Sequence, residues 1–448
     1  MVSRTGCVSA TRGAKLTETS ARAKDAREKA PGDSFTSPLS RLGPGLVTGA
    51  ADDDPSGIAT YNQVGAQFGY GLSWSLVLTT PLMTVIQDVA AQIGSVTGRG
   101  IAANLRRHYP RPLLWFAVSL LLVANVINLG ADLSAMGSVL ELTIGGSAIA
   151  YTLAFGAFCV LLEIFLSYRR YSGILKWTTL SLFAYVGVVA VAGVPWGRAL
   201  RSLVVPEISW TPAYATAFVA ILGTTISPYL FFWQAAQEIE EEHRHHAKPL
   251  CATPRKAGPE MARIRTDTLV GMLFSNLVAL AIIFAAAATL HVHGVTTIES
   301  AAQAAQALEP IAGRFAFLLF SFGIIGTGLL AVPVLAGSAA YGVCEMVGIS
   351  ASLDSKPTKA RLFYGVILAT TLAGASLQAV GMNPVRALYW SAVVNGVLAA
   401  PLMAVMMLIV RNPKAMGSLI LSPRATVLGW FATAVMAAAT VLFFASLF

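Results

Sequence analysis

The chain contains few charged residues. Asp, Glu, Lys and Arg make up 12% of its 448 residues, whereas hydrophobic residues make up 55%. About a quarter of the residues in soluble domains are charged, so this composition excludes an ordinary soluble protein. Apolar blocks of about 20 residues, the length that a bilayer-spanning helix needs, recur along almost the whole chain. We therefore predict a multi-pass protein of the cell membrane that is surrounded by lipid.

Motifs of several other protein classes are also missing. The four cysteines lie far apart without a CxxC pair, so neither disulfides nor a zinc site is expected. Because no nucleophile–base constellation or phosphate loop occurs, we predict no enzyme and no bound cofactor. The N-terminus lacks a short apolar segment with a cleavage site, so a removable signal peptide is not expected. The net charge of +9 does not require a nucleic-acid partner, because its distribution follows a membrane topology.

The predicted fold class is an all-α integral membrane protein with eleven transmembrane helices. Residues 1–42 are polar without a burial pattern and are predicted to be a disordered cytoplasmic tail, followed by one transmembrane domain at 43–448. The predicted spans are 44–69, 72–94, 113–138, 147–167, 174–195, 211–237, 267–290, 314–345, 361–380, 386–410 and 425–447.

The positive-inside rule provides a test of this number of spans. With a cytoplasmic N-terminus and alternating loops, the cytoplasmic segments hold 27 of the 31 Lys and Arg residues. The other four are Arg198, Arg201, Arg314 and Arg386. This asymmetry supports eleven spans and predicts that the C-terminus lies outside the cell.

The first predicted span is interrupted by acidic residues. Within residues 46–69 (LVTGAADDDPSGIATYNQVGAQFG), Asp52, Asp53 and Asp54 directly precede Pro55. A charged residue at the centre of a bilayer helix costs roughly 2.5–3.5 kcal/mol on insertion scales. Proline and glycine at this depth also leave backbone groups without helical partners, which only a cavity or neighbouring protein can satisfy. A broken helix with carboxylates at the break predicts a cation site near the bilayer midplane.

The sixth predicted span is interrupted at GTTISPY, residues 223–229. This break comes five spans after the first, which is the pattern of inverted-repeat transporters. We predict a leucine-transporter-like fold with repeat one at about 43–196, repeat two at about 211–410 and an extra helix at about 425–447. The free backbone groups at the two breaks can coordinate an ion without charged side chains.

These stretches resemble the Nramp family of divalent-metal transporters. The run GPGLVTGAADDDPSGIATYNQVGAQFGYGLSW resembles the family's first helix, with Asp-Pro-Ser-Gly in place of Asp-Pro-Gly-Asn. IQDVAAQIGSVTGRG at 86–100, GTTISPY and NPKAMG at 412–417 resemble the end of the second helix, the sixth-helix break and the loop after the tenth helix. The resemblance covers most of the chain beyond residue 42.

The resemblance implies a set of site residues by position. In typical members an Asp, an Asn, a Met sulfur and a backbone carbonyl hold the metal. Carried over, the aspartate is Asp54, the asparagine is replaced by Gly57 and the carbonyl belongs to Thr224. The methionine is replaced by Ser227, and the motif's histidine is replaced by Tyr229. These substitutions imply an all-oxygen, roomier site.

Thioethers favour transition metals, whereas carboxylates, carbonyls and water suit Mg²⁺ and Mn²⁺. The leading hypothesis is therefore a transporter of partly hydrated Mg²⁺, and of Mn²⁺ too, as in the Nramp-related magnesium branch, without proton coupling. One alternative is a proton-coupled Mn²⁺/Fe²⁺ transporter of ordinary Nramp type. The other is an organic-substrate symporter, such as an amino-acid carrier, although three aspartates would repel a carboxylate substrate. The sequence predicts no particular oligomeric state.

Further acidic and polar residues have open interpretations. Asp52 and Asp53 can contact water around the ion or hydrogen-bond a neighbouring helix, because successive helical residues point about 100° apart. Asp132 and Glu163 can line a pathway or pair with polar neighbours, and no clean counterpart exists for the family's helix-three glutamate. Asp88 and Gln92 are expected at the cytoplasmic interface, and Ala392 takes a position where the family has a polar residue, close to Asn395. His243, His245, His246 and Cys251 lie in a charged segment at 238–256 that is expected to be a solvated loop.

Overall fold

The structure, a computed structural model, describes residues 44–165, 182–349, 352–353 and 355–447, and in these ranges it contains helices and no strands. Short helical turns at 287–291, 301–315 and 413–416 connect or extend the longer helices. The longer helices are α1 (Pro44–Asp52), α2 (Pro55–Phe68), α3 (Ser73–Thr97), α4 (Ile101–His108), α5 (Arg111–Ile144), α6 (Ala148–Phe165), α7 (Phe183–Val191), α8 (Trp196–Val204), α9 (Pro212–Thr225), α10 (Pro228–Arg244), α11 (Pro254–Ala286), α12 (Ala316–Val347), α13 (Arg361–Ser376), α14 (Pro384–Val410) and α15 (Pro423–Ala445).

The break between α1 and α2 follows from local chemistry. Asp54 is extended (φ −74°, ψ 172°), and its carboxylate accepts a hydrogen bond from the Gly57 amide, so it caps the N-terminus of α2. Pro55 occupies the first helical position, where a missing N–H has no penalty and the fixed φ suits a helix. An Asp-Pro pair therefore starts a new helix two residues after α1 ends.

The break between α9 and α10 has a similar origin. Ile226 leaves helical geometry (φ −125°, ψ 61°), Ser227 is extended, and Pro228 begins α10. The residue before a proline disfavours helical geometry, so α9 ends and α10 starts afresh. The Ser227 hydroxyl lies 2.9 and 3.0 Å from the carbonyl oxygens of Gly223 and Thr224, so its single proton is shared between two terminal carbonyls of α9.

Close helix contacts fix the positions of the two breaks. Helix α1 packs against α11, and α9 packs against α14. A Cβ added at Gly223 would lie 2.7 Å from the Gly396 Cα, so these two glycines allow α9 and α14 to approach closely. Helix α5 packs against α6, α12, α13 and α14, and it also contacts α2 beside the first break.

The described residues include nine helices long and apolar enough to cross a membrane. The two pieces of the first predicted span, nine and 14 residues long, are each too short to be counted among them. Of the fifth predicted span, residues 174–181 lie outside the described residues, as does the predicted tail at 1–42. The number eleven, the inverted repeat and the orientation of the termini stay predictions.

Two expectations were wrong. The charged segment 238–256 is not one loop, because α10 continues to Arg244 and α11 begins at Pro254. Ion pairs support these polar helix ends: Glu238 lies 3.1 Å from Arg263 of α11, and Arg244 lies 3.3 Å from Glu240 one turn earlier. The cysteines are also not all reduced, since Cys159 and Cys344 are free but Cys251 is in a disulfide.

Candidate cation site at the two helix breaks

The two breaks lie against each other in the protein interior. A Cβ added at Gly57, in the first turn of α2, would lie 3.0 Å from the Thr224 hydroxyl oxygen and 3.5 Å from Asp54 Oδ1. On the other side of the break, the Tyr229 hydroxyl donates to the Ala51 carbonyl at 3.0 Å. All five residues are buried. The structure thus brings together Asp54, Gly57 and Thr224, and it ties α10 to the end of α1.

Asp54 has a well-defined set of donors. Its Oδ1 accepts hydrogen bonds from the Ser56 hydroxyl and the Gly57 amide, both at 2.7 Å. Its Oδ2 accepts one from the Asn128 side-chain amide of α5 at 2.9 Å. The N-terminus of α2 adds the positive end of a helix dipole. This environment favours the carboxylate anion and holds it in one orientation, facing α5 and α9.

Other buried oxygen atoms lie beside Asp54. The Thr224 hydroxyl is buried next to the Tyr61 hydroxyl, and the side-chain carbonyl of Asn128 is buried without a hydrogen bond. The buried carboxylate of Asp132, one turn beyond Asn128 on α5, faces the Ser56 backbone amide and interacts electrostatically with Asp54. Buried polar atoms are normally fully hydrogen-bonded, so a cluster of oxygens with few donors indicates a place for a cation or water.

The side chains of Ser227 and Tyr229 face backbone rather than open space. The Ser227 hydroxyl donates towards the end of α9, where the Thr224 carbonyl, which the resemblance implied as a ligand, accepts from it. The Tyr229 hydroxyl donates to the Ala51 carbonyl in the last turn of α1. A hydroxyl that donates its proton to a carbonyl still has lone pairs, so Ser227 stays a candidate ligand.

Asp52 and Asp53 face a different helix from Asp54. The Ser275 hydroxyl of α11 lies 2.8 Å from Asp52 Oδ2 and 3.2 Å from Asp53 Oδ1. The second oxygen of Asp52 is buried without a partner. The three consecutive aspartates therefore split into two groups, Asp54 towards α5 and Asp52–Asp53 towards α11.

In the part of the chain that the structure describes, no positive side chain pairs with these carboxylates. Among the described residues, no Lys or Arg forms an ion pair with Asp52, Asp53, Asp54 or Asp132. The same part of the chain contains no group of three or more His, Cys, Asp or Glu side chains arranged to hold a metal ion by themselves. An ion here would keep part of its coordination from water or from neutral oxygens.

Cavities approach the breaks from two sides. Two adjoining cavities of about 140 and 290 Å³ share Ala59 and Val385, between α2 and α14. On the face predicted to be cytoplasmic, a cavity of about 1070 Å³ lies among α4, α5, α10 and α12, and Arg99, Arg106, Arg107 and Arg111 are among its lining residues. None of the three aspartates at the break lines these cavities, and their side chains are at most 2% exposed, so the break is closed to both sides in this structure.

The remaining predicted residues lie elsewhere. Asp88 accepts from Gln92 at 2.7 Å and pairs with Arg265 at 3.4 Å. Both carboxylate oxygens of Glu163 are buried on α6 without a partner, and so is the side-chain nitrogen of Asn395. The Ala392 carbonyl adjoins Gly223, which places this residue beside the second break. The histidine tract contributes a contact of His245 with Glu241 at 3.0 Å.

Sequence reasoning missed Asn128 and Ser275. Asn128 lies 74 positions from Asp54, and Ser275 lies 223 positions from Asp52. The signal for Asn128 was a buried amide four residues before Asp132 on the same helix face, since side chains at i and i+4 are neighbours. A single serine in an apolar span carries no comparable signal.

The broken helices and the buried carboxylates define a membrane protein of the secondary-transporter class. The chain belongs to the Nramp family, because the model for natural resistance-associated macrophage protein-like proteins matches residues 45–446.

Curated relatives and solved structures agree with this assignment. The chain is 26% identical over 413 residues to the divalent metal cation transporter MntH of Klebsiella pneumoniae (strain 342), covering 89% of this chain and 92% of the relative. The MntH protein of strain ATCC 700721 / MGH 78578 of the same bacterium is 27% identical over the same length.

Among solved structures, the Eremococcus coleocola manganese transporter in complex with an aromatic bis-isothiourea substituted compound has a TM-score of 0.72 at 16% identity, covering 93% of this chain and 87% of that one. Mhp1, a nucleobase-cation-symport-1 family transporter, has a TM-score of 0.56 at 14% identity, covering 90% and 92%. At these identities the structures establish the shared fold.

Proposed function

We propose that the protein transports divalent cations, Mg²⁺ foremost and Mn²⁺ as well, across the cell membrane without proton coupling. The observation that carries the proposal is the oxygen cluster at the breaks: the Asp54 carboxylate, the buried Thr224 hydroxyl and the unpartnered Asn128 carbonyl. Hard cations select such carboxylate, hydroxyl and amide oxygens. The names of the MntH relatives and of the manganese transporter support the divalent-metal class.

The arrangement favours an ion that keeps part of its water shell. Mg²⁺ gives up water reluctantly and is usually bound through one or two carboxylates with several waters retained. Gly57 and Ser227 offer less side-chain volume than the asparagine and methionine of typical members, so a hydrated ion would meet fewer side-chain atoms once the two breaks move apart. The side of the α2 first turn that faces Thr224 is where we place the ion.

The cavities on either side support alternating access around this point. The outer cavities reach Ala59, less than one turn beyond Gly57 on α2, and the inner one reaches α10 below the second break. An occluded centre between two cavities is the arrangement expected of a carrier that opens to one side at a time. A cytoplasmic N-terminus and an outer C-terminus belong to the same proposal.

Asp132 favours a second candidate function, proton-coupled Mn²⁺/Fe²⁺ transport. Its buried carboxylate beside Asp54 suits a group that takes up and releases a proton. The same carboxylate could also accept hydrogen bonds from the water shell of a bound cation, so a measurement has to decide between the two functions. An organic-substrate symporter has only the fold likeness to Mhp1 in its favour.

Transport in proteoliposomes separates these functions. Mg²⁺, Mn²⁺ and Cd²⁺ influx would be measured with a pH-sensitive dye inside the vesicles. We expect Mg²⁺ and Mn²⁺ influx without acidification, in wild type and with a reduced rate in Asp132→Asn. Influx of Mn²⁺ and Cd²⁺ with acidification, absent in Asp132→Asn, and no Mg²⁺ influx would overturn the proposal in favour of the second candidate.

A thioether near the break provides the control. Met136 of α5 packs beside Gly328 of α12 and Pro55. Met136→Leu removes this sulfur at nearly constant volume and should leave the ratio of Mg²⁺ to Cd²⁺ influx unchanged. A large rise in that ratio would mean that sulfur takes part in selection.

A further inference from the structure

Asp52 and Asp53 share one hydrogen-bond donor. The Ser275 hydroxyl lies 2.8 Å from Asp52 Oδ2 and 3.2 Å from Asp53 Oδ1, and it carries a single proton. It can therefore donate a full hydrogen bond to only one of the two carboxylates. The second oxygen of Asp52 is buried without a partner. Both side chains are at most 2% exposed, so bulk water does not supply the missing donors.

The helix that carries Asp52 makes this environment more negative. Asp52 is the last residue of α1, where the helix dipole presents its negative end. The described structure shows no Lys or Arg paired with either carboxylate. Two buried carboxylates at a helix C-terminus, without a positive side chain, need a cation or a proton to be stable.

The pair has other hydrogen-bond partners than Asp54. Asp54 uses both of its oxygens towards Ser56, Gly57 and Asn128, on the α5 side of the break. Asp52 and Asp53 instead face the Ser275 hydroxyl of α11. The three carboxylates still interact electrostatically, so the two groups differ in their donors and share one negative environment.

A buried polar chain begins one turn before the pair and runs towards the face predicted to be cytoplasmic. Thr48, four residues before Asp52 on α1, donates to Gln234 at 2.5 Å. Gln234 donates to Glu238 at 3.1 Å, and Glu238 pairs with Arg263 at 3.1 Å. Polar side chains of α1, α10 and α11 therefore lie between the level of Thr48 and the inner face.

We propose that Asp52, Asp53 and Ser275 form a second divalent-cation site on the inner side of the transport site. One divalent ion neutralises both carboxylates, and Ser275 supplies a neutral oxygen once the ion replaces its hydrogen bonds. The proposal rests on the proposed function in one respect, that the cargo is a divalent cation, and it adds a second ion per chain.

Counting bound Mn²⁺ tests this site without transport. Purified full-length protein would be titrated with Mn²⁺, and free Mn²⁺ would be followed by electron paramagnetic resonance. We expect two ions per chain in wild type, one in Asp52→Asn/Asp53→Asn and one in Asp54→Asn. One ion in wild type that disappears in Asp54→Asn would overturn the second site and leave the transport site intact. Two ions in the Asp52→Asn/Asp53→Asn variant would overturn it as well, and no bound ion in wild type would overturn both.

Milder variants keep the test valid if the double variant does not fold. Ser275→Ala leaves both carboxylates and should weaken the second ion about tenfold while the first is unchanged. Thr268, another buried α11 residue with an unpartnered hydroxyl, provides the control: Thr268→Ala should change neither affinity. If both dissociation constants are unchanged in Ser275→Ala, Ser275 does not take part in binding the second ion and the site proposed from these three residues is wrong.

Discussion

Two adjacent stretches of the same break place identical side chains in opposite environments. Asp54 begins α2, where the helix dipole is positive and three donors hold its carboxylate. Asp52 ends α1, where the dipole is negative, and it shares one donor with Asp53. Only two positions separate Asp54 from Asp52, so the fold, and not the residue type, decides how stable each anion is.

The comparison teaches how a buried acidic cluster divides its roles. Asp54 has three hydrogen-bond donors in place before any ion arrives, so it can be an anchor for cargo and a structural cap at the same time. Asp52 and Asp53 are unstable as a pair of anions, so their state follows what is bound. We infer that the position of the Asp54 carboxylate is fixed before an ion binds, whereas the charge and hydrogen bonds of Asp52 and Asp53 change when an ion or a proton binds.

The largest expected effect comes from removing Asp54. Asp54→Ala should abolish cation influx, by at least about 100-fold, because the principal charged ligand is lost. In chelator-treated protein it should also lower the free energy of unfolding by about 1 kcal/mol through loss of the helix cap. Thermal unfolding and proteoliposome flux measure the two effects.

Asp54→Asn and Asp52→Asn/Asp53→Asn complete this comparison. Asparagine is as good a cap as aspartate, so Asp54→Asn should lose flux with little change in stability. Asp52→Asn/Asp53→Asn should raise the melting temperature of metal-free protein, because it removes buried uncompensated charge. A lower melting temperature in the double variant would contradict this inference about the pair.

A smaller effect is expected from filling the space beside Asp54. In Gly57→Ala, the new methyl group would lie 3.0 Å from the Thr224 hydroxyl and occupy the position proposed for the ion or its water. Influx should fall about tenfold, whereas Mn²⁺ bound at Asp52 and Asp53 should stay.

Gly365 of α13 is the matched control for this helix glycine. An added Cβ at Gly365 meets nothing within 4 Å, so Gly365→Ala should leave influx unchanged. If Gly57→Ala transports like wild type, the ion does not lie on this side of α2.

The sequence predicted the positions of the breaks because their causes are local. Three aspartates before a proline, and a serine before another, interrupt helices through capping and steric rules that act within a few residues. The family resemblance then predicted that the two breaks lie next to each other. The structure places Gly57 next to Thr224, and the role of these two positions as ligands stays a prediction.

The partners of the carboxylates could not be predicted in the same way. Whether Asp52 faces α5 or α11 depends on the rotation of a nine-residue helix, which packing against α11 decides. Asn128 and Ser275 are ordinary polar residues in long apolar helices, without a motif around them. The extent of α10 and α11 was missed because ion pairs such as Glu238–Arg263 stabilise helix beyond the apolar stretch.

The smallest expected effect concerns Ser227, on the other broken helix. Its hydroxyl shares its proton between the carbonyls of Gly223 and Thr224 at the end of α9. We therefore expect the ion to be bound by Asp54, Thr224 and backbone oxygens rather than by the Ser227 hydroxyl. Ser227→Ala should therefore reduce influx less than about threefold and lower stability by about 0.5–1.5 kcal/mol, the net value of one hydrogen bond. Thr225→Ala is the control, since the Thr225 hydroxyl bonds the carbonyls of Ile221 and Leu222 in the same manner, at 2.9 and 3.3 Å. Equal losses in the two variants mean that Ser227 caps a helix end. A tenfold loss of Mg²⁺ influx in Ser227→Ala alone would make its hydroxyl a ligand and extend the preorganised side of the site onto the second break.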